Sequence, residues 1–384
     1  MKKKIAILGS TGSIGKSTLE VIKKDKNNFD VVLLTANNNY KQLIKQAKEF
    51  KAKNVLIKNN KFYLKVKKSL KNTKVYFGDV SIKKIVNKRL DYTMSAVVGL
   101  AGLQPTIDAV KISKTVAIAN KEAIICGWDI LSRLIKKYKT EFVPVDSEHF
   151  SIMELTKGFS NDKVEEIIIT ASGGPFLNSS INKLKKIKPE QAIKHPNWKM
   201  GKKISVDSAT LMNKVFEVIE AHKLFNFHKS KYKIMIHPQS YVHSIIRFKN
   251  GLTKMILYDT DMKIPISNTI YKNSIFKKNN IKINDLNNLN FQTINPKNFP
   301  SIKLLNKCFN LGPSTPIIVN AANEVLVDLF LKRKINFLDI VKTINKILKG
   351  KNFRKYARMK PKSLKDIKIA DNWARLKTIN MCVR

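Results

Sequence analysis

Short apolar runs alternate with amphipathic stretches from the first residues onward. Residues 4–8, Lys-Ile-Ala-Ile-Leu, form a compact apolar run that predicts a buried strand. A glycine-rich turn follows, and from Lys16 the apolar positions take helical spacing. Residues 30–36 predict a second buried strand, Tyr40–Lys51 a polar helix and Asn54–Ile57 a third strand. Further strands are predicted at Tyr92–Val97, Thr115–Ala119 and Glu141–Val145. Strands alternating with helices build a parallel sheet covered on both faces. The first domain is therefore expected to span residues 1–146.

The pattern stays mixed from residue 147 to residue 271. Glu166–Ala171 and Lys233–His237 predict strands, and Ser244–Phe248 with Thr253–Leu257 predicts a hairpin turning at Lys249-Asn250-Gly251. Residues 272–300 are rich in Asn, Lys and Pro with weak periodicity, the signature of a linker. Residues 301–384 carry helical spacing at Leu304–Phe309, Ile317–Lys332, Phe337–Leu348 and Ser363–Leu376. The expected fold class is α/β: an N-terminal Rossmann-like dinucleotide domain, an α/β catalytic domain and a C-terminal helical domain.

Composition narrows this picture. The 384 residues are 43% hydrophobic, enough for sizeable cores. No run reaches the ~18–20 apolar residues of a membrane span. The N-terminal apolar stretch enters the glycine turn too soon for a signal peptide. Cys126, Cys308 and Cys382 are far apart and odd in number, which argues against a disulfide framework and for a cytoplasmic location. The formal charge of +45 would suit a nucleic-acid binder. Of the 73 basic residues, however, only eight are Arg, the planar fork that base and phosphate readers favour. The lysines are also dispersed along the chain. A compositional bias over an ordinary enzyme is the expected reading, with no specific nucleic-acid or membrane partner.

Gly9-x-x-Gly12-x-x-Gly15 lies between a predicted strand and a predicted helix. Glycines there allow a tight turn and close approach of a pyrophosphate to a helix N-terminus. Dinucleotide folds that prefer NAD usually end the second strand with an acid that binds the ribose 2′-hydroxyl. Here Asn37, Asn38 and Asn39 stand at that position, with Lys41 just after. Nothing there repels a 2′-phosphate, so the pattern points to NADPH.

Two acidic elements carry candidate metal chemistry. Asp146 and Glu148 close an apolar strand at i and i+2, and in an extended chain they point to one side. Such carboxylates suit Mg²⁺ or Mn²⁺, although alone they are more often the mark of a solvated turn. Asp207 to Ala221 reads as one helix with Asp207 or Ser208 as N-cap. Asn213, Lys214 and Glu217 share a face of it. A phosphate near Ser208 and Lys214 with a cation near Glu217, or a plain Lys214–Glu217 salt bridge, satisfies that face equally well. Glu220 is the alternative ligand.

Other clusters add detail. Ser172-Gly173-Gly174-Pro175 after a strand forms a backbone anion nest. His195-Pro196-Asn197-Trp198 is a turn whose Trp suits a lid. Asn120-Lys121-Glu122 follows a strand, and His237 and His243 suit structural roles. A semialdehyde-dehydrogenase-type enzyme shares the glycine loop but needs a reactive cysteine, and Cys126 lies in an apolar run.

The stretches GSTGSIG, ANKE, PVDSEH, SGGPF, HPNWKMGKKISVDSATLMNK, IHPQSYVHS and NAANE occur in order between residues 9 and 324. In these the chain resembles the 1-deoxy-D-xylulose 5-phosphate reductoisomerase family. The resemblance implies a homodimeric oxidoreductase acting on a sugar phosphate with NADPH and one divalent cation (Mg²⁺, Mn²⁺ or Co²⁺). It implies metal ligation by Asp146, Glu148 and Glu217, and catalytic roles for these with Lys121 and Lys214. Substrate contacts would fall on Lys121, Ser147, Glu148, Ser172, His195, Ser208, Asn213, Lys214 and Glu217. Cofactor contacts would fall on Thr11, Gly12, Ser13, Ile14, Asn37, Asn38, Asn39, Asn120, Glu122 and Gly201. Many family members carry Gly or a basic residue where this chain has Asn37 and Asn38, with Lys41 as a compensating cation.

Overall fold

In a computed structural model of the chain, residues 1–198, 200–272 and 281–382 are described. Two compact units emerge: Met1–Phe150 with Met262–Lys278, and Ser151–Asp261 with Asn279–Arg384.

The first unit is a seven-stranded parallel sheet. Its strands are β1 (Lys3–Leu8), β2 (Phe29–Ala36), β3 (Asn54–Ile57), β4 (Lys74–Phe77), β5 (Leu90–Ser95), β6 (Ser113–Ile118) and β7 (Glu141–Pro144). They run in the order β4-β3-β2-β1-β5-β6-β7. The order reverses at β1, between β2 and β5, which makes the carboxyl end of β1 the switch point where open α/β sheets bind ligands. Ile5 and Ile7 are fully buried, with Leu34, Val55, Tyr92 and Met94 in the same core. That explains why these strands read as unbroken apolar runs. β4 lacks such a run: its residues are exposed or half-buried, so its signal in the sequence is weak. The helix Lys263–Tyr271 also belongs to this unit. It buries Ile266 and Ile270 in the core of the sheet, a placement that local pattern does not encode. Tyr92 Oη and Thr269 Oγ1 share a hydrogen bond of 2.9 Å there.

The second unit holds a four-stranded sheet in the order β11-β10-β8-β9. Its strands are β8 (Val164–Ala171), β9 (Tyr232–Ile236), β10 (Val242–Phe248) and β11 (Thr253–Leu257). The predicted hairpin is present, with β10 antiparallel to β11. Both faces of this sheet are apolar. Ile167, Ile169, Ile246 and Phe248 pack with Val218 and Ala221 of the helix Met212–Phe225. Ile168, Val242 and Ile245 cluster on the other side with Phe291. The segment read as a linker therefore contributes packing residues. Gln292 exchanges two 2.8 Å backbone hydrogen bonds with Ile236, and Phe299 is buried. Residues 273–280 of that segment lie outside the described residues. The C-terminal helices include Lys303–Asn310, Thr315–Leu331, Asp339–Ile347, Phe353–Ala357 and Leu364–Cys382. Of these, Phe353–Ala357 is too short to show a helical period in sequence.

Two local expectations are corrected. Glu148 is not on an extended strand: β7 stops at Pro144 and the helix Ser147–Thr156 begins. Asp146 caps this turn, its Oδ1 accepting from the Glu148 amide at 3.3 Å. Asp207 and Ser208 are not the N-cap of the following helix. They lie in the last turn of a separate helix, Lys202–Ala209, and Leu211 at φ 57° makes the break before Met212–Phe225.

Tyr92→Phe keeps the ring in the core but leaves the buried Thr269 hydroxyl without this partner. Stability is expected to fall by about 1 kcal/mol, read as a lower urea midpoint with an unchanged m value.

Candidate active site

In the first unit, the loops at the carboxyl ends of the strands gather the candidate residues. The glycine loop after β1 is set by close backbone approach. A Cβ on Gly9, which has φ +81°, would lie 2.7 Å from the Ala96 carbonyl oxygen. One on Gly15 would lie 2.4 Å from that of Gly9. The loop is held from below as well: the Gly9 amide donates to Thr35 Oγ1 at 2.9 Å. Ser10 and the buried Gln46 side chain exchange two 2.8 Å hydrogen bonds. Gly12 caps the helix Ser13–Lys23 without a side-chain partner for its first amides, and Gly12 and Ser13 are exposed beside half-buried Thr11 and Ile14. This is the arrangement that receives a pyrophosphate.

Asn37, Asn38 and Asn39 are exposed at the end of β2. Asn39 caps the helix Tyr40–Glu49 through the Gln42 amide at 3.2 Å. Asn38 Oδ1 accepts from Asn59 Nδ2 at 2.8 Å. Asn120 is buried and structurally committed. It caps the helix Lys121–Tyr138 and donates to the carbonyls of Val97 and Gly99 after β5. Lys121 and Glu122 occupy the buried first turn of that helix. Lys121 Nζ lies 3.6 Å from Asp146 Oδ2, and Asp146 Oδ1 pairs with Nδ1 of the buried His149 at 2.8 Å. Ser147 donates to Glu148. Asp146 is thus flanked by two basic groups, while its neighbour Glu148 takes a hydroxyl.

The second unit gathers the remaining candidates around the helix break at Leu211. Gly174, at φ +65°, makes this possible: a Cβ there would meet Ala209 Cα at 3.0 Å and the Ser208 carbonyl at 3.1 Å. The loop after β8 is thereby pressed against the last turn of the Lys202–Ala209 helix. Ser172 Oγ accepts from the Gly174 amide at 3.1 Å and lies 2.9 Å from His195 Nε2. His195 Nδ1 accepts from the amides of Asn197 and Trp198 at 3.1 and 3.0 Å. That assigns the remaining ring proton of neutral His195 to Nε2, donating to Ser172. Ser172 receives two donors, so its own proton points toward an acceptor. The turn is docked rather than loose: Asn197 Nδ2 donates to Pro238 O and Ser240 Oγ, and half-buried Trp198 lies 5.9 Å from the His243 ring. Gly201 caps the helix Lys202–Ala209 in this unit.

Glu217 is 1% exposed. Asn213 donates to one of its oxygens and Lys214 pairs with the other. The salt-bridge alternative from the sequence is therefore present. His237 is buried and structural. It stacks on Phe291, its Nδ1 bonds the Asn290 carbonyl at 2.9 Å, and its Nε2 accepts from the Tyr241 amide. Burial holds its pKa below the usual histidine value. Cys126 is buried in its helix, and burial pushes the Cys308 thiol up to about 12. Cys308 therefore lacks the low-pKa setting of a nucleophile. Sequence reasoning missed that Lys203, Asp207 and Asn323 meet beside Ser208; only their position in the fold brings them together.

A switch-point glycine loop in one unit, and a nest of small hydroxyls, amides and a lysine in the other, define a dinucleotide-dependent oxidoreductase for an anionic substrate. Sequence-family comparison is specific. The 1-deoxy-D-xylulose 5-phosphate reductoisomerase domain matches residues 5–127, its C-terminal domain residues 142–225, and the DXP reductoisomerase C-terminal domain residues 257–377. The chain belongs to the 1-deoxy-D-xylulose 5-phosphate reductoisomerase family, an NADP-dependent enzyme family. A reductoisomerase from Pelagibacter ubique is 50% identical, covering 99% of this chain and 100% of the relative. A solved reductoisomerase from Zymomonas mobilis in complex with NADPH is 35% identical, with TM-score 0.91 over 100% of both chains. Another, in complex with NADPH, fosmidomycin and magnesium, is 31% identical with TM-score 0.92 over 98% of each.

Gly174→Ala forces a Cβ into the Ser208–Ala209 backbone at a φ unfavourable to L-residues. The apparent KM for the phosphorylated substrate is expected to rise about tenfold, a loss of roughly 1.4 kcal/mol, while the Kd for NADPH measured by fluorescence stays within twofold.

Proposed function

We propose that the chain rearranges 1-deoxy-D-xylulose 5-phosphate and reduces the product with NADPH to 2-C-methyl-D-erythritol 4-phosphate, in isoprenoid precursor synthesis by the non-mevalonate pathway. Family membership along nearly the whole chain carries this reading. The residues fit both required groups. The turn at Gly9 and Gly15 leaves backbone where side chains would block a pyrophosphate. Asp146, Glu148 and Glu217 offer hard carboxylate oxygens suited to Mg²⁺ or Mn²⁺. When bound, the cation supplies Lewis-acid stabilisation of a developing oxyanion, and NADPH supplies the hydride.

The chain's own side chains supply position and exclusion of water. Ser172, Ser208, Asn213, Lys214 and His195 grip the substrate phosphate, with the Ser172 proton directed by the two donors it already accepts. That remote grip orients the reacting carbons. Lys121 positions Asp146 through their ion pair, and Ser147 orients Glu148 toward the substrate oxygens. Thr11, Gly12, Ser13, Ile14, Asn120, Glu122 and Gly201 contact the cofactor, and Asn37, Asn38 and Asn39 with Lys41 receive its 2′-phosphate. Trp198 and Met200 cover the site against water. Among the described residues no helix is long and apolar enough to cross a membrane. A cytoplasmic homodimer is part of the proposal. It is supported by three free cysteines and by β11, an edge strand carrying exposed Met255 beside exposed Leu252. Light scattering at twice the chain mass of 43.8 kDa checks the dimer.

The deciding assay follows NADPH absorbance with 1-deoxy-D-xylulose 5-phosphate, with and without Mg²⁺ or Mn²⁺. Turnover is expected only with the cation, and its absence in all conditions overturns the assignment. Glu217→Gln is expected to lower kcat on the order of a hundredfold or more, with NADPH affinity unchanged. Near-full activity in that variant removes Glu217 from the metal set.

A further inference from the structure

The helix that carries Ser208 is built around a buried acid. Asp207 is 1% exposed, one residue before the serine. Its Oδ2 pairs with Lys203 Nζ at 2.9 Å, one turn earlier in the same helix. Its Oδ1 accepts from Asn323 Nδ2 at 2.7 Å, across 116 residues of sequence. Asn323 is fully buried in the helix Thr315–Leu331, and among the described residues its Oδ1 has no hydrogen-bond partner. An orphaned buried acceptor carries a desolvation cost, so the amide is a poor choice for packing alone. The charge-assisted bond to Asp207 is the interaction that offsets this cost.

The clamp is anchored from behind. Glu324, next to Asn323, pairs with Arg375 of the helix Leu364–Cys382, and Arg375 also binds Asp371 at 2.7 and 3.2 Å. The end of the Ser208 helix is tied separately, with Ser301 Oγ donating to the Thr210 carbonyl at 2.5 Å. Residues from the C-terminal third thus fix both Asp207 and the turn that follows Ser208.

We infer that Asn323 is a positioning residue for substrate phosphate: by orienting Asp207 it holds Ser208 and the Leu211 turn in register for the anion, and so couples the C-terminal helices to substrate affinity. The inference rests on the reading of Ser208, Asn213 and Lys214 as the phosphate grip. Lys203 adds the compensating charge, so that the buried carboxylate beside the grip does not repel a phosphate dianion.

The test compares steady-state constants of the full chain with 1-deoxy-D-xylulose 5-phosphate, NADPH and Mg²⁺. Asn323→Leu is expected to raise the KM for the sugar phosphate tenfold or more, with kcat reduced less than threefold and NADPH affinity within twofold. Asn323→Asp sets two carboxylates face to face and has a larger effect. The exchange Asp207→Asn with Asn323→Asp restores the donor–acceptor pair and returns KM to within about threefold of the parent. A merely structural role lowers the melting temperature of Asn323→Leu and leaves KM unchanged, which overturns the inference. If Asn323→Leu does not fold, Asn323→Ser, which is smaller and cannot span to Asp207, takes the same reading. An active parent with unaltered KM in the variants defeats the inference alone. A parent inactive on this substrate defeats the functional reading and the inference with it.

Discussion

A carboxylate removed from water must have a positive or hydrogen-bonding partner, and that constraint organises the candidate site. In a chain of +45 formal charge, three acids of the candidate site stand beside basic side chains. Lys121 stands by Asp146, Lys203 by Asp207, and Lys214 by Glu217. Two of these pairs are local on a helix, at i,i+4 and i,i+3. Such pairs are poor sources of net stability, because desolvation offsets much of the attraction. Their value is orientation: each holds a carboxylate in a fixed direction.

Close backbone approach does the complementary work. Gly15 lets the first helix start against the loop after β1, and Gly174 lets the loop after β8 lie on the Ser208 helix. In both places a single methyl group would separate elements that must touch. Hydrogen bonds then set the chemistry of what has been brought together. The two amides on His195 Nδ1 assign its ring proton, which in turn directs the Ser172 hydroxyl.

Central strands such as β1, β2 and β8 were legible because burial leaves nearly continuous apolar runs, and β11 was legible through its hairpin turn. β4 was not, since an edge strand with half-exposed residues carries no such run. The glycine loop, Asp146, Glu148 and Glu217 were legible as residue types in context. Their local geometry was less so. Asp146 reads equally as the end of a strand or as a helix cap, and the choice depends on where β7 stops. The break at Leu211 was hidden because Asp207, Ser208 and the residues after them all tolerate helix, whereas Leu211 adopts the αL conformation that ends it.

By itself the sequence determined most of the alternation of strands and helices, the glycine loop and the family, because these depend on local periodicity and on contiguous motifs. Only the tertiary structure decided which distant groups meet. The Lys263–Tyr271 helix joins the core of the first unit. Asn323 reaches Asp207 across 116 positions of chain. A side chain's period in sequence reports which face it occupies, but not what lies opposite. That is set by the packing of whole elements, where buried polar groups accept only the partners the fold brings within reach.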